Sequence, residues 1–471
     1  MVNNAGAVTR HSLRDPDGFL ATAAGRLFRA VDPAATAVRL DLVNHPAIRG
    51  AMEKGSLAKT WRAQDVPAEI AALSTHVFEH ERLPFVSYPS EWSPLMLCDA
   101  ALLTLEMQKL ALGAGLILKD AAPTNIVFRG SRPVFVDFLS FVERERGEYL
   151  WRARHQFDAC FLLPLLLSIE AGVPIAWMLR DFLHGVSHEQ AQRMLGVKSW
   201  LKPGLIGAVA LPAALSRRVS AVGSTHAARR KMDSDERARF TLEHQAESLH
   251  RKLMKLRSRL ISGVSLWGNY TSARGHYASA ELDAKRAFVR EALASTAPRE
   301  VLDLGANTGE FSELAAAGAR VKAVDIDELA VSGIAERART GNLDIHPLVG
   351  NLTQPTPAEG WRNRETRSLI ERLTLDSDLV LVLALMHHLR ITGGIPFDEI
   401  VALLADLTRR HVVFEIVPPS DTMFAAMARG REPLYGDCEI ARAEQALAAR
   451  FEIRRRVVLE NGRVMLLLEK R

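Results

Sequence analysis

The sequence predicts an α/β protein, and three observations carry that prediction. From Glu300 onward, short apolar runs alternate with stretches of helical periodicity, the pattern of a mainly parallel sheet. The first run leads into a glycine turn, within a stretch reading VLDLGANTGEFSELAAAGARVKAVDID over Val301–Asp327. The last two runs are joined by Asn461-Gly462, a strong hairpin signal, so the sheet is expected to close with an antiparallel pair. Ahead of it, residues 1–200 read as an α+β domain and 201–266 as a basic helical linker. The sheet domain is expected over 267–471.

Each element follows from its residues. Glu300–Leu304 is short and largely apolar and reads as a buried strand. A helix starts over Phe311–Ala317, with Thr308 and Glu310 in its first turn. The second strand ends at Asp325, and Ile345–Gly350 is the third. Asp378–Ala384 (DLVLVLA) is nearly all apolar, as a parallel strand covered on both faces requires. His411–Val417 is the fifth strand, and Phe451–Glu460 with Arg463–Glu469 forms the hairpin.

The turn carries the chemistry. Gly305 and Gly309 bracket it, and glycine there lets the backbone approach a ligand and adopt positive φ without a Cβ clash. The helix N-terminus beyond it favours the carboxylate end of an amino-acid-like ligand. Asp325 stands where dinucleotide folds place an acid for the ribose hydroxyls. The G-x-G-x-x-G spacing is not kept, because Asn307 and Glu310 occupy the second and third glycine positions. Asp303, just before Gly305, repels a pyrophosphate but attracts the ammonium of a methionine moiety. The turn therefore suits S-adenosylmethionine (SAM) better than NAD. The expected cofactor residues are Asp303, Gly305, Asn307, Gly309, Asp325, Ile326, Asn351 and Leu352.

On these features, residues from about Trp267 to Arg471 resemble a Rossmann-like class I SAM-dependent methyltransferase. The segments GNLTQPTPAEGWRNRE (350–365), LALMHHL (383–389) and FEIVPPSD (414–421) resemble a bacterial group that includes a host-specific nodulation protein. The resemblance implies methyl transfer from SAM to a small-molecule acceptor in specialised biosynthesis. The acceptor atom, N, O or C, stays open. A non-catalytic SAM-binding or partner-binding module is the alternative, since no base is certain.

Methyl transfer needs alignment of nucleophile and methyl, and a base only where the nucleophile must lose a proton. His387 and His388 follow the fourth strand, at the sheet edge that meets the cofactor, and histidine titrates near neutrality. Glu415 lies amid apolar residues of the fifth strand and needs either a ligand or a buried arginine partner. Trp267, Tyr270 and Tyr277 precede the first strand and are candidates to box the sulfonium. Trp361, Asn363 and Arg364 form either a flap over the site or an exposed connector. Two adjacent histidines with no third ligand nearby make a poor metal pair, so no metal is expected.

A second informative stretch, LILKDAAPTNIVFRGSRPVFVDFLSF, spans 116–141. A helix over Leu102–Leu112 leads to a loop with Asp120 and Asn125, then a hairpin turned at Gly130-Ser131 that ends at Asp137. This spacing resembles the catalytic loop and metal-binding aspartate of kinase-like and aminoglycoside-type phosphotransferases. The resemblance implies that Asp120 orients a hydroxyl and that Asn125 and Asp137 hold magnesium. Leu118-Lys119 replaces the usual His-Gly or His-Arg, Leu139 replaces glycine, and no glycine-rich loop lies upstream. A degenerate kinase-like shell is therefore expected, with ATP-dependent bifunctionality as the alternative.

Whole-chain properties set bounds. The 471 residues suffice for two or three domains, and three scattered cysteines (Cys98, Cys160, Cys438) argue against disulfides or zinc and for a reducing cytoplasm. The N-terminus lacks an apolar signal core, and the longest apolar stretch, Ala159–Ile169, is too short to span a bilayer. Net charge is +5, and Arg217–Arg259 holds twelve Lys/Arg against five Asp/Glu. Within it Leu249, Leu253, Leu256 and Leu260 share one helical face, so a solvated basic helix between domains is expected rather than a nucleic-acid site.

Overall fold

The structure, a computed structural model, describes residues 9–10, 15–32, 42–72, 74, 76–181, 184–222, 231–262 and 279–471. The chain divides into two compact units, Met1–Ser262 and Gly263–Arg471.

The first unit begins with a five-stranded antiparallel sheet. Its strands are β1 (Thr9–Arg10), β2 (Gly18–Ala23), β3 (Arg26–Val31), β4 (Thr60–Arg62) and β5 (Val77–His80), in the order β1-β2-β3-β5-β4. Alternation places Ala21, Phe28 and Val77 in a small core with Ile70. The next helix is longer than expected, running over Pro94–Gly113. Ser93 caps it by accepting from the Met96 amide, and Pro94 needs no amide partner in the first turn. Then come β6 (Leu116–Leu118), paired with β9 (Phe141–Glu143), and the hairpin β7 (Ile126–Arg129) and β8 (Arg132–Phe135). Gly130, at φ +57°, makes the expected turn.

The basic segment contributes a helix, Asp235–Ile261, that packs along Pro94–Gly113 inside the first unit. Its leucine stripe, Leu242, Leu249, Leu253, Leu256 and Leu260, is buried. Each such leucine stabilises the packing by roughly 1.5–3 kcal/mol. Arg257 fixes the register through Asp99 Oδ1 at 2.6 Å. Among the described residues, no helix is long and apolar enough to cross a membrane.

The second unit is a seven-stranded sheet: β10 (Glu300–Leu304), β11 (Arg320–Asp325), β12 (Ile345–Val349), β13 (Ser377–Val382), β14 (Thr408–Ile416), β15 (Phe451–Val458) and β16 (Val464–Lys470). The order is β12-β11-β10-β13-β14-β16-β15. β10 to β14 pair in parallel, while β16 runs antiparallel to both β14 and β15. This is the strand order that the resemblance to class I methyltransferases implies, with the reversed strand inserted beside β14. Leu379 to Val382 are fully buried, because helices cover both faces. One face packs Val301, Val321 and Leu381 against Phe288, Val289 and Ala292 of the helix Ser279–Thr296. On the other face Phe414 meets Phe397 of the helix Phe397–Leu407 edge-on at 6.1 Å.

The closing hairpin differs in detail from a two-residue turn. Its loop runs from Leu459 to Arg463, and the Gly462 amide donates to the Leu459 carbonyl at 2.9 Å. Gly462 takes φ +81°, while Asn461 instead accepts from the Arg463 amide at 3.1 Å.

Candidate functional site

The C-terminal ends of β10, β11 and β13 border a cavity of 1020 Å³, at the sheet edge where open α/β folds bind ligands. Asp303 lies beneath the turn, buried, with Oδ2 accepting from the Ser312 hydroxyl at 2.6 Å. Burial pushes its carboxyl up to about 7, Asp325 adding to that push and Ser312 opposing it. The turn then passes through three left-handed residues: Gly305 (φ +71°), Asn307 (φ +51°) and Gly309 (φ +82°). A Cβ on Gly309 would stand 2.8 Å from Ile334 Cγ1, and one on Gly305 would stand 3.1 Å from Leu385 Cδ1.

Asp325 secures the turn, accepting from the Asn307 amide at 2.7 Å and the Asp327 amide at 3.0 Å. Burial raises its carboxyl, against those amide bonds. Ile326, beside it, is 57% exposed although large and apolar, and it lines the cavity. Asn351 and Leu352 line it as well, Asn351 being braced by the Thr353 amide (2.9 Å) and hydroxyl (2.7 Å). The structure thus gathers Asp303, Gly305, Asn307, Asp325, Ile326, Asn351 and Leu352 around one space, with Gly309 behind it as the cap of the helix Glu310–Ala316. Asn307 Oδ1 is buried without a hydrogen-bond partner, an acceptor poised for a donor.

His387 and His388 also line the cavity, their rings 4.3 Å apart. Burial, then His388 and Arg463, pulls His387 down to about 3, and burial followed by Arg463 lowers His388. The titration near neutrality expected of them is therefore displaced downward in both. His387 Nδ1 is buried and has no hydrogen-bond partner.

Glu415 has a buried arginine partner, one of the two alternatives that its place in an apolar strand leaves. It is fully buried and does not line the cavity. Lys285 Nζ lies 2.6 Å and Arg463 Nη1 3.2 Å from its Oε1, while the Ala384 amide donates to Oε2 at 2.8 Å. Its carboxylate is committed to the protein, as an unpaired charge in an apolar strand requires. Arg463 continues the network to Asp421, with Nε donating to Oδ2 at 2.8 Å and Nη2 to Oδ1 at 3.2 Å. Burial pushes Asp421 up, but Arg463 and the Phe424 and Met423 amides overcome it and hold the carboxyl low.

Sequence reasoning missed Lys285, Arg463, Met423 and Met427, which line the cavity. A signal existed for Lys285: it shares a helical face with Phe288, Val289 and Ala292, where a cation demands a buried partner. Trp361 is 65% exposed, and neither it, Asn363 nor Arg364 lines the cavity. Trp267, Tyr270 and Tyr277 lie outside the described residues.

In the first unit, Asp120, Asn125 and Asp137 converge on Ser140. The Ser140 hydroxyl lies 3.0 Å from Asp120 Oδ1 and 2.9 Å from Asp137 Oδ2, and Asn125 bonds to Asp120 and Ser140. Burial raises Asp120, and Asp137 adds to it. One cation reaches these acids and a second lies on neighbouring ones, while Asp137 Oδ1 is buried without a hydrogen-bond partner. Arg29 of β3 reaches Asp137 Oδ1 at 3.5 Å and Asp15 Oδ2 at 3.1 Å, and Lys119 pairs with Asp17 and Asp15. Among the described residues, no group of three or more His, Cys, Asp or Glu is placed to hold a metal.

No family model matches the chain. Two solved structures are similar in fold to part of it. N-methyltransferase NodS from Bradyrhizobium japonicum WM9 has 16% identity and a TM-score of 0.30 over 41% of this chain and 97% of its own. Magnesium protoporphyrin IX methyltransferase from Synechocystis PCC 6803, with bound SAH, has 18% identity and a TM-score of 0.28 over 41% of this chain and 84% of its own. Likeness at this level carries no inference about activity. The nodulation protein NoeA of Rhizobium meliloti (strain 1021) is 31% identical over 454 residues, 95% of this chain and 92% of the relative. Identity of that extent runs through both units, and the protein belongs to the NoeA family.

Proposed function

We propose that this protein transfers a methyl group from SAM to a small-molecule acceptor. The observation that carries the reading is Asp303, a buried carboxyl beneath a left-handed glycine turn, raised to about 7 for want of a cation. The ammonium of a methionine moiety supplies that cation and restores the charge. Asp325, Ile326 and Asn307 line the same cavity and would hold the cofactor's ribose, its purine and a donor group respectively. The bound cofactor supplies an activated methyl on a sulfonium. The chain supplies alignment and a cavity walled by Leu383, Leu385 and Leu389 that excludes water. The relative is named as a nodulation protein, and the reading extends a role in nodulation to this chain.

The test is turnover. Purified protein with methyl-labelled SAM and a low-molecular-weight cell extract should yield labelled product and S-adenosylhomocysteine (SAH), and Gly305→Val should abolish both. Binding of SAM with no turnover in any extract would favour the non-catalytic module. A second reading, nucleotide binding by the first unit, rests on the convergence of Asp120, Asn125 and Asp137. A thermal shift with magnesium-ATP that disappears in Asp137→Ala would support it.

A further inference from the structure

We propose that the methyl acceptor is a carboxylate, seated on Lys285, Arg463 and His387 and methylated on oxygen. This rests on the methyl-transfer reading and adds the acceptor's chemistry to it. The ion network is polarised. Lys285 and Arg463 reach the cavity wall, whereas their counter-charges Glu415 and Asp421 do not. A ligand beside them meets the positive side of two ion pairs. His387 Nδ1, buried and unpartnered, stands in the same cluster, where Arg463 and Lys285 act on its ring and Asp421 opposes them. In the tautomer with its proton on Nδ1, it adds a third donor. Three donors lining one cavity suit an oxyanion.

The same groups disfavour an amine or an alcohol. Either must lose a proton to become the nucleophile or to release its product, and a base is required for that. Burial and the neighbouring cations lower both His387 and His388, which makes each a weaker base. Of the acids on the wall, Asp303 and Asp325 belong to the turn, and Glu310 is held by Arg286 at 2.5 Å. A carboxylate needs no base. Its oxygen lone pair forms the O–CH3 bond as the S–CH3 bond breaks, with that electron pair remaining on sulfur. The negative carboxylate and positive sulfonium become a neutral ester and a neutral thioether, and no proton moves. Leu282, Met423 and Met427 supply apolar wall nearby, so the acid is carried on an apolar body.

The methionine carboxylate of SAM has the same chemistry as the acceptor's, so the experiment separates the two. Calorimetry on SAH-saturated protein uses benzoate and decanoate as probes, with benzamide and decanamide as neutral controls. At least one acid should bind and its amide should not. Lys285→Met should weaken the acid at least tenfold and SAH less than threefold, and Lys285→Arg should restore the acid. If Lys285→Met does not fold, His387→Phe, outside the ion network, should show the same loss. In turnover, the transferred label should be released as volatile methanol by mild alkali. Amides binding as well as acids, no acid binding, equal loss of SAH and acid in Lys285→Met, or an alkali-stable label would each overturn the proposal. Failure of the wild-type protein to bind SAH would instead overturn the methyl-transfer reading beneath it.

Discussion

In the second unit, Lys285 and Arg463 stand at a cavity wall with their carboxylates Glu415 and Asp421 behind them. In the first unit the order is reversed: Arg29 and Lys119 lie on the acids Asp15, Asp17 and Asp137. Both clusters neutralise buried charge, as low-polarity surroundings demand. They differ in what they leave for a ligand. The second unit keeps unsatisfied groups at its cavity, Asn307 Oδ1 and His387 Nδ1, and a carboxyl, Asp303, that is ionised only reluctantly. In the first, Asp137 Oδ1 is also buried without a hydrogen-bond partner, but Arg29 stands 3.5 Å from it. The contrast is between cations that line a cavity, with their carboxylates behind them, and cations that sit against the acids of a side-chain cluster.

The contrast is broken most severely at Glu415. Glu415→Ala leaves Lys285 and Arg463 buried against each other, and unfolding by urea should show a loss of about 3–5 kcal/mol. A loss under about 1 kcal/mol would mean that the network is solvated and not polarised.

The next effect is a pH dependence. Asp303 has a folded-state value of about 7 against the usual 3.8, so the native state holds its proton where the unfolded state has lost it. Ligand-free stability should therefore fall as pH rises from about 4 to about 7 and then level off. The difference between wild type and Asp303→Asn isolates this contribution, on the order of 3–4 kcal/mol across that window. A flat difference would show that the carboxyl is not desolvated.

Arg29→Met uncovers Asp137 and should cost about 1–2 kcal/mol. If the cations are what closes the first unit, this variant should gain a thermal response to magnesium that the wild type lacks. Trp361→Ala, at an exposed position, should change stability by no more than about 0.5 kcal/mol and leave cofactor affinity unchanged. A large loss of affinity would restore the flap reading of that loop.

The sheet was legible because its signals are local. An apolar run such as DLVLVLA has no choice but burial on both faces, and the glycine turn with Asp303 reads directly as a cofactor edge. The acceptor side was not legible in the same way. Lys285, Glu415 and Arg463 come from a helix, a strand and a hairpin that are far apart in sequence, so only the fold shows that Glu415 is partnered rather than waiting for substrate. The histidines illustrate a further limit. Their adjacency is visible in the sequence, but the burial and neighbouring cations that make them weaker bases are not. In the first unit, Asp120, Asn125 and Asp137 were found by spacing, whereas Arg29 was missed because its short strands carry weak periodicity. The start of the helix Pro94–Gly113 was readable from Ser93-Pro94, a cap followed by a first-turn proline.

Asp303 and the turn above it are proposed to form the SAM site. Titration calorimetry of SAM against wild type and Asp303→Asn tests this proposal most directly, with the fold of each checked by circular dichroism. The account predicts binding by the wild type and an affinity at least about 100-fold lower in the variant, a difference of roughly 2.7 kcal/mol. Equal affinity in two folded proteins, or no binding by the wild type, would contradict it.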